Sequence, residues 1–150
     1  MCLLFPMTTF GETIDDLVQR DGLFYKKLTV VPFTGNLTGK TQGAFRNGKR
    51  EGLWVYYYDN GQLSYKGTFK VGKKDGTWVY YHSNGQLSYK VTYKDNKKDG
   101  PYVNYYDNGQ LGSKGTYKNG KREGPWVGYN YDGTVDKEWT GTFKDGKKVK

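Results

Sequence analysis

The sequence predicts an all-β protein: an elongated single-sheet antiparallel β-meander with a short N-terminal helix as its cap. Three observations lead to this fold class. The 150 residues include 22 Gly, 15 Tyr, 7 Phe and 4 Trp, which disfavours a helical bundle. A 24-residue pattern recurs along the chain. Each copy places Asn-Gly or Asp-Gly between two aromatic and β-branched runs, which is typical of short strands joined by tight turns.

Residues 1–11 form an apolar segment that ends at Glu12. The segment is too short to span a bilayer. It resembles the second half of a secretory signal peptide, with Thr9 and Gly11 as small residues before a cleavage point. We therefore expect export to the periplasm or the cell exterior, from a start site upstream of Met1. The alternative is an ordinary apolar N-terminus on a cytoplasmic protein. No other run of the sequence is apolar enough for a transmembrane segment.

Residues 12–21 are predicted to form the capping helix. Ile14, Leu17 and Val18 have helical spacing, and Thr13 is a candidate N-cap. Such a helix would cover the edge of the first strand. Residues 22–47 then read as a degenerate opening repeat, and residues 48–150 as tandem 24-residue repeats.

The repeat is defined by several columns that share the same 24-residue step. The tryptophan column is Trp54, Trp78, Tyr102 and Trp126, and the valine column is Val55, Val79, Val103 and Val127. The tyrosine column is Tyr57, Tyr81, Tyr105 and Tyr129, and the leucine column is Leu63, Leu87, Leu111 and Val135. So many coincident columns indicate a repeat architecture.

Two turns are predicted in each unit. Asn-Gly between strand-like runs favours a two-residue type I′ turn, because both residues tolerate positive φ. These turns are expected at Asn60-Gly61, Asn84-Gly85, Asn108-Gly109 and Asp132-Gly133. A second reversal is expected between the glycines that flank each basic pair, as in Gly72–Gly76 and Gly120–Gly124.

A two-residue Asn-Gly loop would set Trp54 opposite Gly67, with the indole ring covering the bare glycine backbone. One face would then hold Trp54, Tyr56, Tyr58, Leu63, Tyr65 and Phe69, and the other Val55, Tyr57, Ser64, Lys66, Thr68 and Lys70. A bulged turn would instead move Val55 and Tyr57 to the packed face. Both assignments leave aromatic residues on both faces.

The second strand of each unit resembles the MORN repeat. The segment Tyr65-x-Gly67-x-Phe69-x-x-Gly72-x-x-x-Gly76 follows the MORN signature, and related copies occur around Gly43, Gly115 and Gly141. The unit has one residue more than the common MORN repeat and carries Trp where a second glycine is usual. These features and the phrase W-V-x-Y-Y-D-N-G-Q-L resemble the bacterial MORN variant of the YwqK-type antitoxin family. Val91 departs from the pattern by replacing glycine.

The resemblance implies a β-hairpin array that binds a partner, and antitoxin-like neutralisation of that partner by occlusion. We expect a non-catalytic module for protein–protein binding or scaffolding, since Tyr and Trp dominate interface hot spots. The candidate partner-binding residues are Tyr57, Tyr81, Tyr105 and Tyr129. The partner itself stays unknown.

Charge suggests an alternative function. The net charge is +9, and all of the excess lies in residues 46–150. A basic surface attracts anionic partners, so weak binding to anionic membrane lipid or another polyanion through basic inter-repeat turns is the second hypothesis, with nucleic acid the least favoured polyanion. The candidate anion-binding residues are Lys49, Arg50, Lys73, Lys74, Lys97, Lys98, Lys121 and Arg122. An acidic residue follows each of these four pairs, which lowers the local charge and favours a solvated turn.

The residues needed for catalysis or metal binding are few. Cys2 and His82 are the only cysteine and histidine, which excludes a disulfide within the chain and a Cys/His zinc cluster. His82 stands in the column of Tyr58 and Tyr106, so a repeat-column substitution explains it better than a catalytic base. We therefore expect no enzyme activity, no cofactor and no metal.

Overall fold

A computed structural model describes residues 11–149, and most of them form one antiparallel sheet. Neighbours in this sheet follow the chain order from the strand Gly35–Leu37 to the strand Lys147–Lys148, except that the short strand Lys73–Lys74 pairs alongside Leu63–Lys70. The predicted all-β meander is therefore confirmed. The strands of the sheet are β3 Gly35–Leu37, β4 Thr41–Arg46, β5 Lys49–Tyr57, β6 Leu63–Lys70, β7 Lys73–Lys74, β8 Gly76–Tyr81, β9 Leu87–Lys94, β10 Lys97–Tyr105, β11 Leu111–Lys118, β12 Lys121–Gly128, β13 Gly141–Lys144 and β14 Lys147–Lys148.

The predicted capping helix at residues 12–21 is wrong. A single 3-10 turn, Ile14–Asp16, is followed by a separate two-stranded hairpin of β1 Leu17–Arg20 and β2 Leu23–Lys26. Asp21 and Gly22 have φ of 49° and 76°, so they form a two-residue reversal where the sequence analysis predicted the end of a helix. Thr13 occupies the N-cap position of this turn, and its amide and hydroxyl both donate to Oδ2 of Asp16, at 2.8 and 2.7 Å. These hydrogen bonds lower the pKa of the Asp16 carboxyl.

The described residues begin at Gly11, so the rest of the expected signal segment, including Cys2, lies outside them. Within residues 11–149, no helix has the length and apolar character needed to cross a bilayer.

The observed turns differ from the predicted ones: the two-residue reversals lie between repeats, and the Asn-Gly turns within repeats are longer loops. The two-residue reversals with positive φ at both positions lie at the ends of the repeats, as at Val71 and Gly72 with φ of 50° and 79°. At Asn60-Gly61 only the glycine has positive φ, and the loop closes through a hydrogen bond from the Tyr58 amide to the Gln62 carbonyl. The type I′ prediction for the Asn-Gly turns was therefore wrong, because the observed loop is longer and is followed by a bulge in β6.

The packed face of the sheet, called here the aromatic face, carries the buried side chains of each repeat. Trp54 lies opposite Gly67 in the register, as predicted. Its indole, however, covers Gly43 on the preceding strand, where a Cβ would be 2.3 Å from the ring. Trp78 covers Gly67 in the same way. Each repeat that carries tryptophan in this column thus packs its indole onto a glycine of the preceding repeat, as Trp126 also does at Gly115.

Hydrogen bonds and ring contacts fix these indoles in place. The Nε1 atoms of Trp54, Trp78 and Trp126 each donate to a carbonyl of the preceding strand at 3.1–3.2 Å. Phe69 stands edge-on between Trp54 and Trp78, with centroid distances of 5.7 and 5.0 Å. Because these contacts cross repeat boundaries, the core is continuous along the array although the sheet is a single layer.

Candidate functional site

The tyrosine row, defined as Tyr57, Tyr81, Tyr105 and Tyr129, lies on the face opposite Trp54, which is called here the open face. Alternation from Trp54 through Val55 places Tyr57 there, and the bulge at Ser64 does not move it. The four side chains are half-buried, and none belongs to the buried hydrophobic cluster that includes Tyr65 and Tyr80. The row is therefore available for a contact that the core does not use.

The eight basic candidates divide into two groups, because adjacent strand residues point to opposite faces. The first residue of each pair, such as Lys73, is exposed. The second is half-buried and lies over an aromatic ring: Nζ of Lys74 is 4.1 Å from the centroid of Trp78, and Cζ of Arg50 is 5.0 Å from that of Trp54. Burial lowers the pKa of Lys74 and of its counterpart Lys98. The first-group residues are Lys49, Lys73, Lys97 and Lys121, and the second-group residues are Arg50, Lys74, Lys98 and Arg122.

The expected placement of these pairs in turns was also wrong, since each pair begins a strand just after a reversal. The first residue of each pair lies directly opposite another exposed basic residue, as Lys70 lies opposite Lys73. We call these facing residues the basic edge. Like charges directly opposite each other destabilise a sheet. Ion pairs offset this at two positions, where Lys73 lies 3.3 Å from Asp95 and Lys121 lies 3.9 Å from Asp145. The facing pairs are Arg46 and Lys49, Lys70 and Lys73, Lys94 and Lys97, Lys118 and Lys121, and Lys144 and Lys147.

A second set of lysines crosses the middle of the open face. Lys66 lies opposite Val55 on one side and opposite Val79 on the other. The same pairing continues through the next two repeats, so lysine and valine alternate along a line perpendicular to the strands. This lysine–valine row consists of Val55, Lys66, Val79, Lys90, Val103, Lys114 and Val127. Its three lysines are exposed, and none forms an ion pair with a residue in 11–149.

A shallow groove of about 710 Å³ lies on the open face, beside this row and on the side of the basic edge. Its floor holds the short side chains of threonine, proline and valine, and Lys90 and Lys114 line one wall, on the side of the lysine–valine row. None of the described residues that line it is acidic. The lining side chains of the open face are Thr77, Thr92, Thr116, Pro101, Pro125, Val103 and Val127 together with the two lysines.

The acidic residue after each basic pair has a structural partner in three repeats. Oε2 of Glu51 accepts a hydrogen bond of 2.8 Å from the amide of Val71, at the reversal of the following repeat. Asp99 and Glu123 accept equivalent bonds from Asn119 and Asp145. These carboxylates join one turn to the next, so they do more than balance charge on a solvated turn.

His82 takes the place of tyrosine in a ladder between repeats. Its Nε2 lies 2.9 Å from the carbonyl oxygen of Tyr105, and the hydroxyls of Tyr58 and Tyr106 donate to the matching carbonyls at 2.8 Å. No cluster of potential metal ligands occurs within residues 11–149. The arrangement around His82 is that of a structural hydrogen bond between repeats.

The sequence analysis did not identify Lys90 and Lys114 as candidate binding residues. At the basic edge it identified one residue of each facing pair, such as Lys73, but not the residue opposite, such as Lys70. It did place Lys66 and Lys70 on the face opposite Trp54, as observed. What it lacked was the reversal at Val71-Gly72, because only that register shows that Lys70 faces Lys73 and that Lys66 lies between two valines.

Comparison with known families agrees with this geometry. A family model described as a MORN repeat variant matches residues 50–70, 74–95 and 98–119. These three segments therefore match the MORN repeat, as their signature suggested. The match covers the strands that carry Lys66, Lys90 and Lys114. It does not address the antitoxin family.

Solved structures give only distant similarity. A structure of accessory secretory protein 1, 2 and 3 from Streptococcus pneumoniae is 15% identical, covering 71% of this chain and 19% of that chain, with a TM-score of 0.35. A GtfA/B complex bound to UDP and GlcNAc is 12% identical, covering 73% and 20%, with a TM-score of 0.21. The chain thus spans about a fifth of the length of each structure, and at these scores neither bears on function. A comparison with curated protein sequences gives no significant match.

Proposed function

We propose that these MORN repeats form a non-catalytic binding module that holds an acidic segment of a partner protein across the open face. The observation that carries the proposal is the groove beside the lysine–valine row, with Lys90 and Lys114 along its wall and no acidic residue in its lining. Exposed cations that make no ion pair within the described chain attract an acidic partner and orient it. The half-buried tyrosine row, two residues further along the strands, adds aromatic contact area.

The antitoxin-like role implied by the sequence resemblance is a special case of this proposal. If the partner is a toxin with an acidic surface, its occlusion by the groove would neutralise it. The absence of enzymatic turnover is part of the same proposal, because His82, the only histidine, already bonds to the neighbouring repeat.

Three doubly substituted variants separate the basic surfaces. Each replaces two exposed lysines by glutamate, so the net charge falls from +9 by four units to +5 in all three. The row variant, the edge variant and the remote variant are Lys90→Glu/Lys114→Glu, Lys94→Glu/Lys118→Glu and Lys27→Glu/Lys137→Glu, respectively.

The test selects peptides from a displayed random library on the wild-type protein and measures their affinity for each variant by fluorescence anisotropy. We expect selected peptides to be rich in Asp and Glu, to lose binding to the row variant and to keep binding to the remote variant. Circular dichroism spectra that match the wild type must accompany each measurement. Peptides without acidic enrichment, or equal loss in the row and remote variants, would contradict the proposal.

A second candidate function, binding to an anionic membrane surface, is favoured by the basic edge. Its facing cations repeat at every two-strand step, about 9.6 Å apart. Electrostatic attraction to anionic lipid is worth about 1 kcal/mol for each nearby cation and is screened by salt. Vesicles containing phosphatidylglycerol should therefore bind the wild type and the row variant at low salt, and they should not bind the edge variant. Binding that is equally weak in the edge and remote variants would exclude a dedicated membrane edge.

A further inference from the structure

The lysines of the row have a fixed spacing that restricts what can pair with all of them. Lys66, Lys90 and Lys114 lie on every second strand of the sheet, so they are about 9.6 Å apart. An extended β-strand returns a side chain to one side every 6.8 Å or so, and an α-helix about every 5.4 Å. A polyproline II helix has three residues per turn and repeats about every 9.3 Å. Only the last period coincides with the lysine spacing.

We infer that the segment held by the open face is a polyproline II helix with an acidic residue at every third position. This inference rests on the proposed function and adds the conformation and spacing of the partner segment. Over the two steps from Lys66 to Lys114 the mismatch between the two periods amounts to about 0.6 Å, which flexible lysine side chains absorb.

The groove suits such a segment in shape as well as in charge. It extends from Thr77 on β8 to Pro125 on β12, four strand steps or about 19 Å, which is the length of about six residues in polyproline II. Its floor of threonine, proline and valine accepts apolar side chains such as proline, while Lys90 and Lys114 meet acidic side chains on one wall. A polyproline II helix needs no sheet edge, and inside this sheet both neighbours of each strand are already present.

The test compares three labelled peptides of equal length by fluorescence anisotropy at low salt. The first repeats Glu-Pro-Pro. The second repeats Glu-Glu-Pro-Pro-Pro-Pro, which has the same composition and charge but the wrong spacing. The third repeats Glu-Gly-Gly, which keeps the spacing but has no preference for polyproline II. All are measured on the wild type, the row variant and the remote variant defined above.

We expect the Glu-Pro-Pro peptide to bind the wild type about tenfold more tightly than the peptide with the wrong spacing, the combined effect of three exposed ion pairs. It should also bind more tightly than the glycine peptide, because a preformed helix loses less entropy. The row variant should lose both preferences and the remote variant should keep them. Methyl NMR shifts at Val103 and Val127 should locate the peptide in the groove.

The inference and the proposed function fail in different ways. Equal affinity for the two proline peptides, with the row variant still defective, would overturn the spacing and leave an acidic partner in place. Equal affinity for the proline and glycine peptides would overturn the conformation. Failure of all three peptides to bind would overturn both proposals. Displacement of the labelled Glu-Pro-Pro peptide by inorganic polyphosphate at a far lower concentration than by unlabelled Glu-Pro-Pro would overturn a peptide occupant and assign the groove to a phosphate polymer.

Discussion

The contact between Trp78 and Gly67 gives a quantitative test of packing on the aromatic face. A Cβ at Gly67 would lie 2.2 Å from Cδ2 of Trp78, whose side chain is only 1% exposed. The substitution Gly67→Val must therefore displace the indole, which costs about 1–3 kcal/mol as overpacking. It also disturbs the hydrogen bond from Trp78 Nε1 to the Thr68 carbonyl, worth about 1 kcal/mol. We predict that Gly67→Val lowers the free energy of unfolding by about 3 kcal/mol.

The third repeat shows how this cost can be relieved. There Val91 takes the glycine position, and the residue opposite it on the next strand is Tyr102 instead of tryptophan. Trp78→Tyr alone should cost about 2 kcal/mol, through a cavity and a lost hydrogen bond. Combined with Gly67→Val it should recover at least about 1 kcal/mol of the summed cost.

Urea unfolding followed by circular dichroism measures all three variants, with the m-value as a check for a single transition, since repeat arrays can unfold in parts. Gly61→Ala is the matched control, because its Cβ would meet nothing within 4 Å and its φ of 81° makes the strain local. Its effect should add to that of Trp78→Tyr without coupling. Additive costs for Gly67→Val and Trp78→Tyr would refute the reasoning.

Three further predictions concern single side chains. His82→Tyr should leave the unfolding free energy within about 0.5 kcal/mol of the wild type, whereas His82→Ala should cost about 1 kcal/mol by leaving the Tyr105 carbonyl without its partner, as urea titration can measure. Lys74→Arg should be nearly neutral, because arginine fills this column in other repeats, but Lys74→Glu should cost about 1–2 kcal/mol by placing a carboxylate over the Trp78 ring. Burial raises the pKa of Tyr102 to about 12, so the urea midpoint should be steady below pH 10 or so and fall as the pH rises towards about 12.

The repeat length, the strand order and the packed face could be predicted from the sequence, because each depends on columns that recur in every unit. The position of the tight reversal could not. Asn60-Gly61 satisfies the local rule for a type I′ turn, yet it forms a longer loop in which the Gln62 amide donates to Oδ1 of Asn60 at 3.0 Å. The same local bond recurs at Asn84, Asn108 and Asp132. The dipeptide alone does not distinguish this loop from the two-residue turn, and the register between strands depends on that choice.

The candidate site was only half predictable for the same reason. The tyrosine row follows from alternation along one strand, so the sequence placed it on the face opposite Trp54. The lysine–valine row depends on the register between strands of different repeats, and that register changes with the turn. The N-terminal hairpin was missed for a simpler reason: Ile14, Leu17 and Val18 fit a helical spacing, but Asp21-Gly22 is a two-residue hairpin signal of its own.

The two faces of the sheet differ in how their columns vary, and this difference bears on function. On the aromatic face, a residue that departs from its column faces a second residue that also departs, because tight packing couples neighbours. Val91 replaces glycine where Tyr102 replaces tryptophan, and Asn104 pairs with Ser113 where other repeats stack two tyrosines. On the open face the lysines recur through three repeats without a partner in the described chain. Like charges that face each other at the basic edge lower the stability of the sheet. Because packing requires neither feature, the open face is where binding is to be sought.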